Sequence, residues 1–215
     1  MDASTDLFSQ VDDYLVEALL EPDTSLDGAL KRSTDAGLPP IAVSPAQGKM
    51  LHLLVRMCGA RHVLEVGTLG GYSTIWLARA AERVTTLELD EKHAAVAREN
   101  LAAAGLSNVE FLVGPALETL PNLSDPVDFA FIDADKGNNP RYVEQVLRLA
   151  HPGTVIVVDN TVRQGRVADA SLTDADVVGT RELFDLLRSD PRVDATTIQT
   201  VGSKGHDGFT LCLVS

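Results

Sequence analysis

The 215-residue chain is poor in cysteine and aromatic residues, and it lacks any long hydrophobic run. Its two cysteines, Cys58 and Cys212, lie far apart in apolar segments. Such a pair excludes a disulfide framework and a cysteine-based zinc cluster, and we expect two buried free thiols in a reducing cytoplasm. No apolar run approaches the roughly 18 residues of a membrane span. The N-terminal segment MDASTDLF lacks the basic residues of a secretory signal. We therefore expect a cytoplasmic protein with no membrane partner.

Basic residues are also scarce, since 18 Lys and Arg stand against 31 Asp and Glu, a formal net charge of −13 at pH 7. Such a charge repels nucleic-acid backbones. The acidic residues are concentrated near the N-terminus, where eight precede the first basic residue, Lys31. Together with an aromatic share of only 5%, this distribution argues against a nucleic-acid partner.

Hydrophobic residues make up 45% of the chain, enough for a substantial core, and the length fits a single domain, 1–215. Residues 1–59 are predicted to form an N-terminal helical cap, with Ser44 capping its third helix and Pro45 at the first helical position. Residues 60–215 are predicted to form an α/β core. The predicted cap helices are 6–20, 23–35 and 44–59.

Beyond residue 61, strand-like apolar segments alternate with helical ones, which predicts a doubly wound, mostly parallel α/β sheet. The final two strands have no helix between them and are predicted to form an antiparallel hairpin, linked by the turn-rich residues 203–208. The expected sheet has seven strands. The predicted strands are 62–67, 84–89, 109–114, 127–134, 154–160, 196–202 and 209–215, and the helices are 72–81, 91–104, 140–150 and 176–189.

A glycine-containing turn, EVGTLGGYS at 65–73, follows the first predicted strand. The second strand ends in Glu88, where a carboxylate can accept both hydroxyls of a ribose, so the pattern indicates an adenosine-containing cofactor. The dinucleotide motif G-x-G-x-x-G is absent, because two residues separate Gly67 from Gly70. Glu65 before the turn suits a cationic ligand and favours S-adenosylmethionine over a dinucleotide. An NAD-dependent reductase is the alternative, and an ordinary strand-to-helix turn is the simplest interpretation.

Oxygen-bearing side chains follow the fourth and fifth strands, in FIDADK at 131–136 and VVDNT at 157–161. Because neighbouring parallel strands end at one edge of a sheet, we expect Asp133, Asp159 and Asn160 to meet there. Two carboxylates and an amide oxygen suit a hard divalent cation, Mg²⁺ above all, with Mn²⁺ or Ca²⁺ as alternatives. The alternative interpretation is that each is an ordinary cap or turn residue.

These motifs resemble those of the S-adenosylmethionine-dependent, cation-dependent O-methyltransferases, the family of catechol and caffeoyl-CoA O-methyltransferases and their bacterial relatives. The resemblance covers residues 38–215 and is carried by VLEVGTLGGYSTIWLA, VTTLELD, FIDADK and VVDNTVRQGRV. It implies a Rossmann-like class I methyltransferase fold, S-adenosylmethionine and a divalent cation as cofactors, and a homodimer. The implied substrate is a small aromatic diol, catechol-like or caffeoyl-type, that accepts a methyl group on one hydroxyl.

The resemblance also implies roles for individual residues. Asp133, Asp159 and Asn160 match the metal ligands, and Lys136 matches the general base, with Asp133 beside it in the catalytic set. The matching cofactor-binding positions are Val43, Glu65, Gly67, Thr68, Ser73, Glu88, Ala116 and Asp133. Methyl transfer to another small molecule or to RNA stays open, as does a cofactor-binding protein without catalysis.

Three further predictions concern Trp76, the loop 163–175 and the histidines. Trp76, after the glycine turn, is predicted either to stack near adenine or to belong to the core. The loop 163–175 is predicted to line the acceptor side of the site. The five histidines are scattered and are interpreted as surface or packing residues.

Overall fold

The computed structural model describes residues 3–215, so Met1 and Asp2, at the start of the acidic N-terminal segment, lie outside the described residues. Ser44 caps the third helix by accepting a hydrogen bond from the backbone N–H of Gln47, as predicted. The side chain of Asp23 caps the second helix in the same way. The three N-terminal helices are α1 (Ala3–Leu19), α2 (Thr24–Asp35) and α3 (Pro45–Met57).

The α/β core begins directly after these helices, and its strands and longer helices follow the predicted order. The strands are β1 (His62–Val66), β2 (Arg83–Glu88), β3 (Val109–Val113), β4 (Phe129–Ile132), β5 (Val155–Asp159), β6 (Val193–Gly202) and β7 (Gly205–Val214). The helices are α4 (Tyr72–Ala78), α5 (Glu91–Ala103), α6 (Ala116–Thr119), α7 (Asn139–Leu149) and α8 (Ala175–Ser189). The short helix α6 was not predicted.

The seven strands form one sheet in the order β3-β2-β1-β4-β5-β7-β6. Strands β1 to β5 are parallel, and β7 runs antiparallel to both of its neighbours. This is the predicted α/β architecture with an antiparallel C-terminal hairpin, and the prediction is confirmed. The order reverses at β1, which lies between β2 and β4, so the fold has its ligand crevice at the carboxyl ends of these strands.

Helices cover both faces of the sheet, and side chains of each strand alternate between them. In β1, Val63 packs into the layer formed with α2 to α5, whereas Leu64 packs into the layer formed with α7 and α8. Both side chains are fully buried. The continuous apolar strands of the sequence are therefore explained by burial on both faces. Among residues 3–215, no helix has the length and hydrophobicity needed to cross a membrane.

The C-terminal hairpin is tighter than predicted. Strands β6 and β7 pair continuously as far as Gly202 and Gly205, which leaves Ser203 and Lys204 as the loop. The predicted link over 203–208 is therefore wrong. Gly205, directly after this loop, has φ +86, the left-handed conformation that follows a type I turn in a tight hairpin. The glycines that suggested a long loop instead belong to the strand.

The cysteine prediction is correct for one residue and wrong for the other. Cys212 is fully buried in β7, and burial raises the pKa of its thiol to about 12. Cys58 is exposed, because it forms the C-cap of α3, where the chain leaves the protein core. Both thiols are free.

Candidate active site

A cavity of about 1160 Å³ opens at the carboxyl ends of the parallel strands. It is larger than a typical small-molecule site of about 300–1,000 Å³, so it has room for a cofactor and a second ligand. Two of the predicted site residues, Glu65 and Asp159, are buried behind its wall. The predicted residues that line the cavity are Val43, Gly67, Thr68, Ser73, Glu88, Ala116, Asp133, Lys136 and Asn160.

Gly67 brings the glycine turn against the end of β4. It has φ +101, and a Cβ atom at this position would lie 2.3 Å from the carbonyl oxygen of Asp133. The two strand ends are also joined by a 2.8 Å hydrogen bond from the Asp133 N–H to the carbonyl oxygen of Val66. Only glycine fits here, and the close approach places the turn directly beside the FIDADK segment.

Glu65 is fully buried beneath this turn. Its carboxylate accepts hydrogen bonds from the hydroxyls of Ser73, Thr74 and Thr86 at 2.6, 2.6 and 2.7 Å. Burial raises the pKa of Glu65 to about 7, although the three hydroxyl hydrogen bonds act in the opposite direction. In this structure Glu65 supports the start of α4 from behind, and its direct contact with a cofactor stays a prediction.

Glu88 stands at the cavity wall at the end of β2. One carboxylate oxygen accepts hydrogen bonds from the N–H groups of Thr68 and Leu69 at 3.2 and 2.7 Å. The other accepts from the N–H of Asp90 at 3.0 Å and lies 3.5 Å from Nδ1 of His93. The glycine turn therefore fixes the orientation of this acid. His93, interpreted from sequence as a surface or packing residue, also lines the cavity.

Lys136 and Asp133 form a close pair on the other side of the cavity. The Lys136 Nζ donates a hydrogen bond to Oδ1 of Asp133 at 2.6 Å. The Lys136 side chain is only 8% exposed, although this side chain lies at the cavity wall. The short 3₁₀ turn at Lys136–Asn138 returns the lysine toward the strand end that carries the aspartate.

Asp159 ends β5, the strand next to β4, and Asn160 follows it. The register pairs Ile132 with Val158. Burial raises the pKa of Asp159 to about 7, and repulsion by Asp133 acts in the same direction. The Lys136 ammonium and a hydrogen bond from Gln47 oppose this shift. The structure thus brings the three predicted oxygen donors to neighbouring strand ends.

The chemistry of this donor set fits a hard divalent cation. The buried Asp159 and the half-buried Asp133 repel one another and would gain from a cation between them, and an amide oxygen completes a set of oxygen donors. In the part of the chain that the structure describes, no three His, Cys, Asp or Glu side chains come together as metal ligands. A zinc site built from histidine and cysteine therefore has no support here.

Several further side chains at the cavity wall were not among the individual site residues predicted from the sequence. The Arg163 guanidinium lies 2.7 Å from a carboxylate oxygen of Asp176. The Lys204 Nζ donates a 3.3 Å hydrogen bond to the carbonyl oxygen of Pro40. Tyr142 donates its hydroxyl hydrogen bond to Asp135. Arg163 belongs to the loop predicted for the acceptor side, but the other side chains carried no sequence signal, because distant segments bring them together.

Trp76 belongs to the core, which decides between its two sequence interpretations. It is 7% exposed and lies edge-on to His52, with ring centroids 6.1 Å apart. The indole does not line the cavity. Its position on α4 therefore stabilises the packing of α4 against α3.

Comparison with known proteins identifies the family. A family model described as O-methyltransferase matches residues 21–214. A catechol O-methyltransferase of Mycobacterium tuberculosis is 54% identical over 209 residues, covering 95% of this chain and 94% of the relative. A catechol O-methyltransferase of Niastella koreensis is 46% identical over 216 residues, covering 97% of this chain and 98% of the relative.

Solved structures agree with this assignment. The O-methyltransferase from Bacillus cereus in complex with SAH is 49% identical, with a TM-score of 0.96 over 98% of this chain and 100% of that chain. The chain therefore belongs to the O-methyltransferase family, as the resemblance of its motifs predicted.

Proposed function

We propose that the protein transfers the methyl group of S-adenosylmethionine to one hydroxyl of a vicinal dihydroxy-aromatic compound, catechol-like or caffeoyl-type, held on a divalent cation. One observation carries the proposal: a single cavity joins Glu88 and the glycine turn with Asp133, Lys136 and Asn160. The SAH bound to the Bacillus cereus relative supports the cofactor. The names of the two catechol O-methyltransferases support the acceptor class.

The cofactor belongs at the end of the cavity that β1 and β2 form. Glu88, held by backbone N–H groups, would accept hydrogen bonds from the ribose hydroxyls. Gly67, Thr68 and Ser73 would surround the methionine part, with Val43 at the entrance. The backbone of Ala116 would meet the adenine.

Asp133, Asp159 and Asn160 would hold the divalent cation, Mg²⁺ or otherwise Mn²⁺ or Ca²⁺. When bound, such an ion lowers the pKa of an acceptor hydroxyl and fixes two neighbouring oxygens. By holding such an ion, the three residues would select for a diol with adjacent hydroxyls, because only such a diol presents two oxygens to it. An isolated phenol presents one.

Lys136 would act as the general base. A phenol has a pKa of about 10, so the hydroxyl must lose its proton during the reaction at neutral pH. The Lys136 Nζ, buried beside Asp133 at the cavity wall, would accept that proton in its deprotonated form, which burial and a neighbouring cation favour. The cavity walls supply the rest by holding the acceptor oxygen in line with the methyl group.

The test compares acceptors that differ only in the placement of their hydroxyls. The purified protein is incubated with methyl-labelled S-adenosylmethionine, Mg²⁺ and catechol, or with resorcinol or phenol as matched controls. We expect label in catechol alone. Equal labelling of all three would contradict chelation, and labelling of RNA but not catechol would replace the proposal by its nearest alternative. Family membership gives the reductase alternative no support.

A further inference from the structure

The motif GHDGF at 205–209 in β7 has no part in the proposed reaction, yet it contacts the loop that follows β5. Oδ1 of Asp207 accepts hydrogen bonds from the N–H groups of Val162 and Arg163, at 3.2 and 2.9 Å. It also accepts from the N–H of Gly208 at 3.0 Å. One carboxylate oxygen on β7 thus fixes two successive residues of a loop that lies more than 40 positions earlier in the chain.

That loop has an unfavourable backbone conformation. Asn160, Arg163 and Gln164 have φ values of 54°, 55° and 58°, in the left-handed region, although none is glycine. Residues of this kind persist only where surrounding contacts hold them, and they cluster at functional sites. Asp207 supplies such contacts within the left-handed stretch.

Two further hydrogen bonds join β7 to Thr161, in the same loop. The N–H of Thr161 donates to the carbonyl oxygen of Gly208 at 3.0 Å, and its hydroxyl accepts a 2.9 Å hydrogen bond from Thr210. A Cβ atom at Gly208 would lie 2.2 Å from the carbonyl oxygen of Ile198. The hairpin is therefore closely packed at the point where it contacts the loop.

The anchored loop carries two side chains of the acceptor end of the cavity. Asn160 and Arg163 both line the wall, whereas Asp207 does not. The Arg163 guanidinium reaches Asp176 on α8, and its buried Nε has no hydrogen-bond partner among the described residues. A change in the loop backbone would therefore displace both side chains together and leave the cofactor end untouched.

We propose that Asp207 is a positioning residue for the acceptor side of the reaction: its carboxylate holds the Val162–Arg163 turn and so fixes Asn160 and Arg163 at the cavity wall. The inference rests on the proposed function, because that function places the acceptor and the cation beside Asn160. Removing a residue that orients a metal ligand without touching the metal typically changes activity about 10- to 100-fold.

The test compares Asp207→Ala with Asp207→Asn, which keeps an oxygen acceptor, and with Asp194→Ala, a matched change at an exposed aspartate elsewhere in the same hairpin. We expect Asp207→Ala to lower kcat/KM for catechol about tenfold or more, with the Kd for SAH unchanged. Asp207→Asn should recover most of the loss, and Asp194→Ala should behave like the unmodified protein. If Asp207→Ala does not fold, Asp207→Glu replaces it, because the longer side chain misplaces the carboxylate.

Hydrogen exchange of the segment 160–168, measured by mass spectrometry without acceptor or metal, gives a readout that does not depend on activity. We expect faster exchange in Asp207→Ala than in Asp194→Ala. Unchanged exchange, or a loss of SAH affinity in step with kcat/KM, would overturn the positioning role. If the unmodified protein does not methylate catechol, the proposed function fails, and the exchange result still decides whether Asp207 holds the turn.

Discussion

The Nζ of Lys136 lies 2.6 Å from Oδ1 of Asp133, three residues earlier in the chain. This pair joins the proposed base to a proposed metal ligand, and the short turn between them fixes their separation. The methyl acceptor in our proposal meets both groups at once. Loss of the Lys136 amino group should therefore affect the chemical step far more than the binding of the cofactor.

Lys136→Ala tests this division. We expect kcat on catechol to fall about 100- to 10,000-fold, the range that general-base catalysis contributes, with little change in the Kd for SAH. Rates are measured with labelled donor and the Kd by calorimetry. Lys49→Ala is the matched control, because Lys49 lies over the Trp76 ring, outside the cavity. Loss of SAH binding with an intact kcat would remove Lys136 from the catalytic role.

Gly67→Ala tests the close contact between the glycine turn and β4. A methyl group would meet the Asp133 carbonyl oxygen, and the residue already has a positive φ, so we expect a loss of unfolding free energy well above 1 kcal/mol. SAH affinity should fall as the turn shifts. Urea unfolding and calorimetry provide the two measurements.

Gly105→Ala is the control for that substitution. Gly105 has φ +71, but a Cβ atom there would meet nothing within 4 Å. The unfolding free energy of this variant should fall by about 1 kcal/mol, the cost of the unfavourable φ alone. Its SAH affinity should not change. Equal effects of the two substitutions would show that the contact with β4 does not matter.

Glu65→Gln tests the buried carboxyl group. Its pKa is about 7 in the folded protein against about 4.3 when unfolded, so the folded state holds the proton more tightly. The stability contributed by this group is fully present below pH 4.3 and is lost as pH rises toward 7. The unfolding free energy of Glu65→Gln relative to the unmodified protein should therefore rise across this window, by up to a few kcal/mol.

The measurement is a set of urea titrations between pH 5 and 8 without cofactor or metal. Asp159 titrates in the same range but is present in both proteins, so its contribution cancels in the difference. A pH-independent difference would show that Glu65 is already ionised in the folded protein throughout this range.

Much of the fold follows from local sequence patterns. Continuous apolar segments located β1 to β5, and Ser44 with Pro45 marked the start of α3. The placement of Asp133 beside Asp159 could be predicted from the rule that neighbouring parallel strands end at one edge of a sheet. Asp133 directly follows β4, and Asp159 ends β5.

Features that depend on packing between distant segments could not be predicted. The hydrogen bond from the Arg163 N–H to Asp207 spans 44 residues, and Gln47 reaches Asp159 from α3, in the N-terminal part of the sequence. The exposure of Cys58 was missed for a different reason: an apolar neighbourhood in sequence does not reveal that the residue ends a helix at the surface. The burial of Glu65 likewise depends on hydroxyls from both α4 and β2.

The most direct test is the dependence of methyl transfer on a divalent cation. The initial rate on catechol is measured after the protein has been treated with excess chelator, and again after Mg²⁺ is added in excess of the chelator. We predict no detectable methyl transfer in the first sample and restored transfer in the second, because Asp133, Asp159 and Asn160 then hold the ion that the diol requires. Full activity in the presence of excess chelator would contradict the proposed role of these three residues.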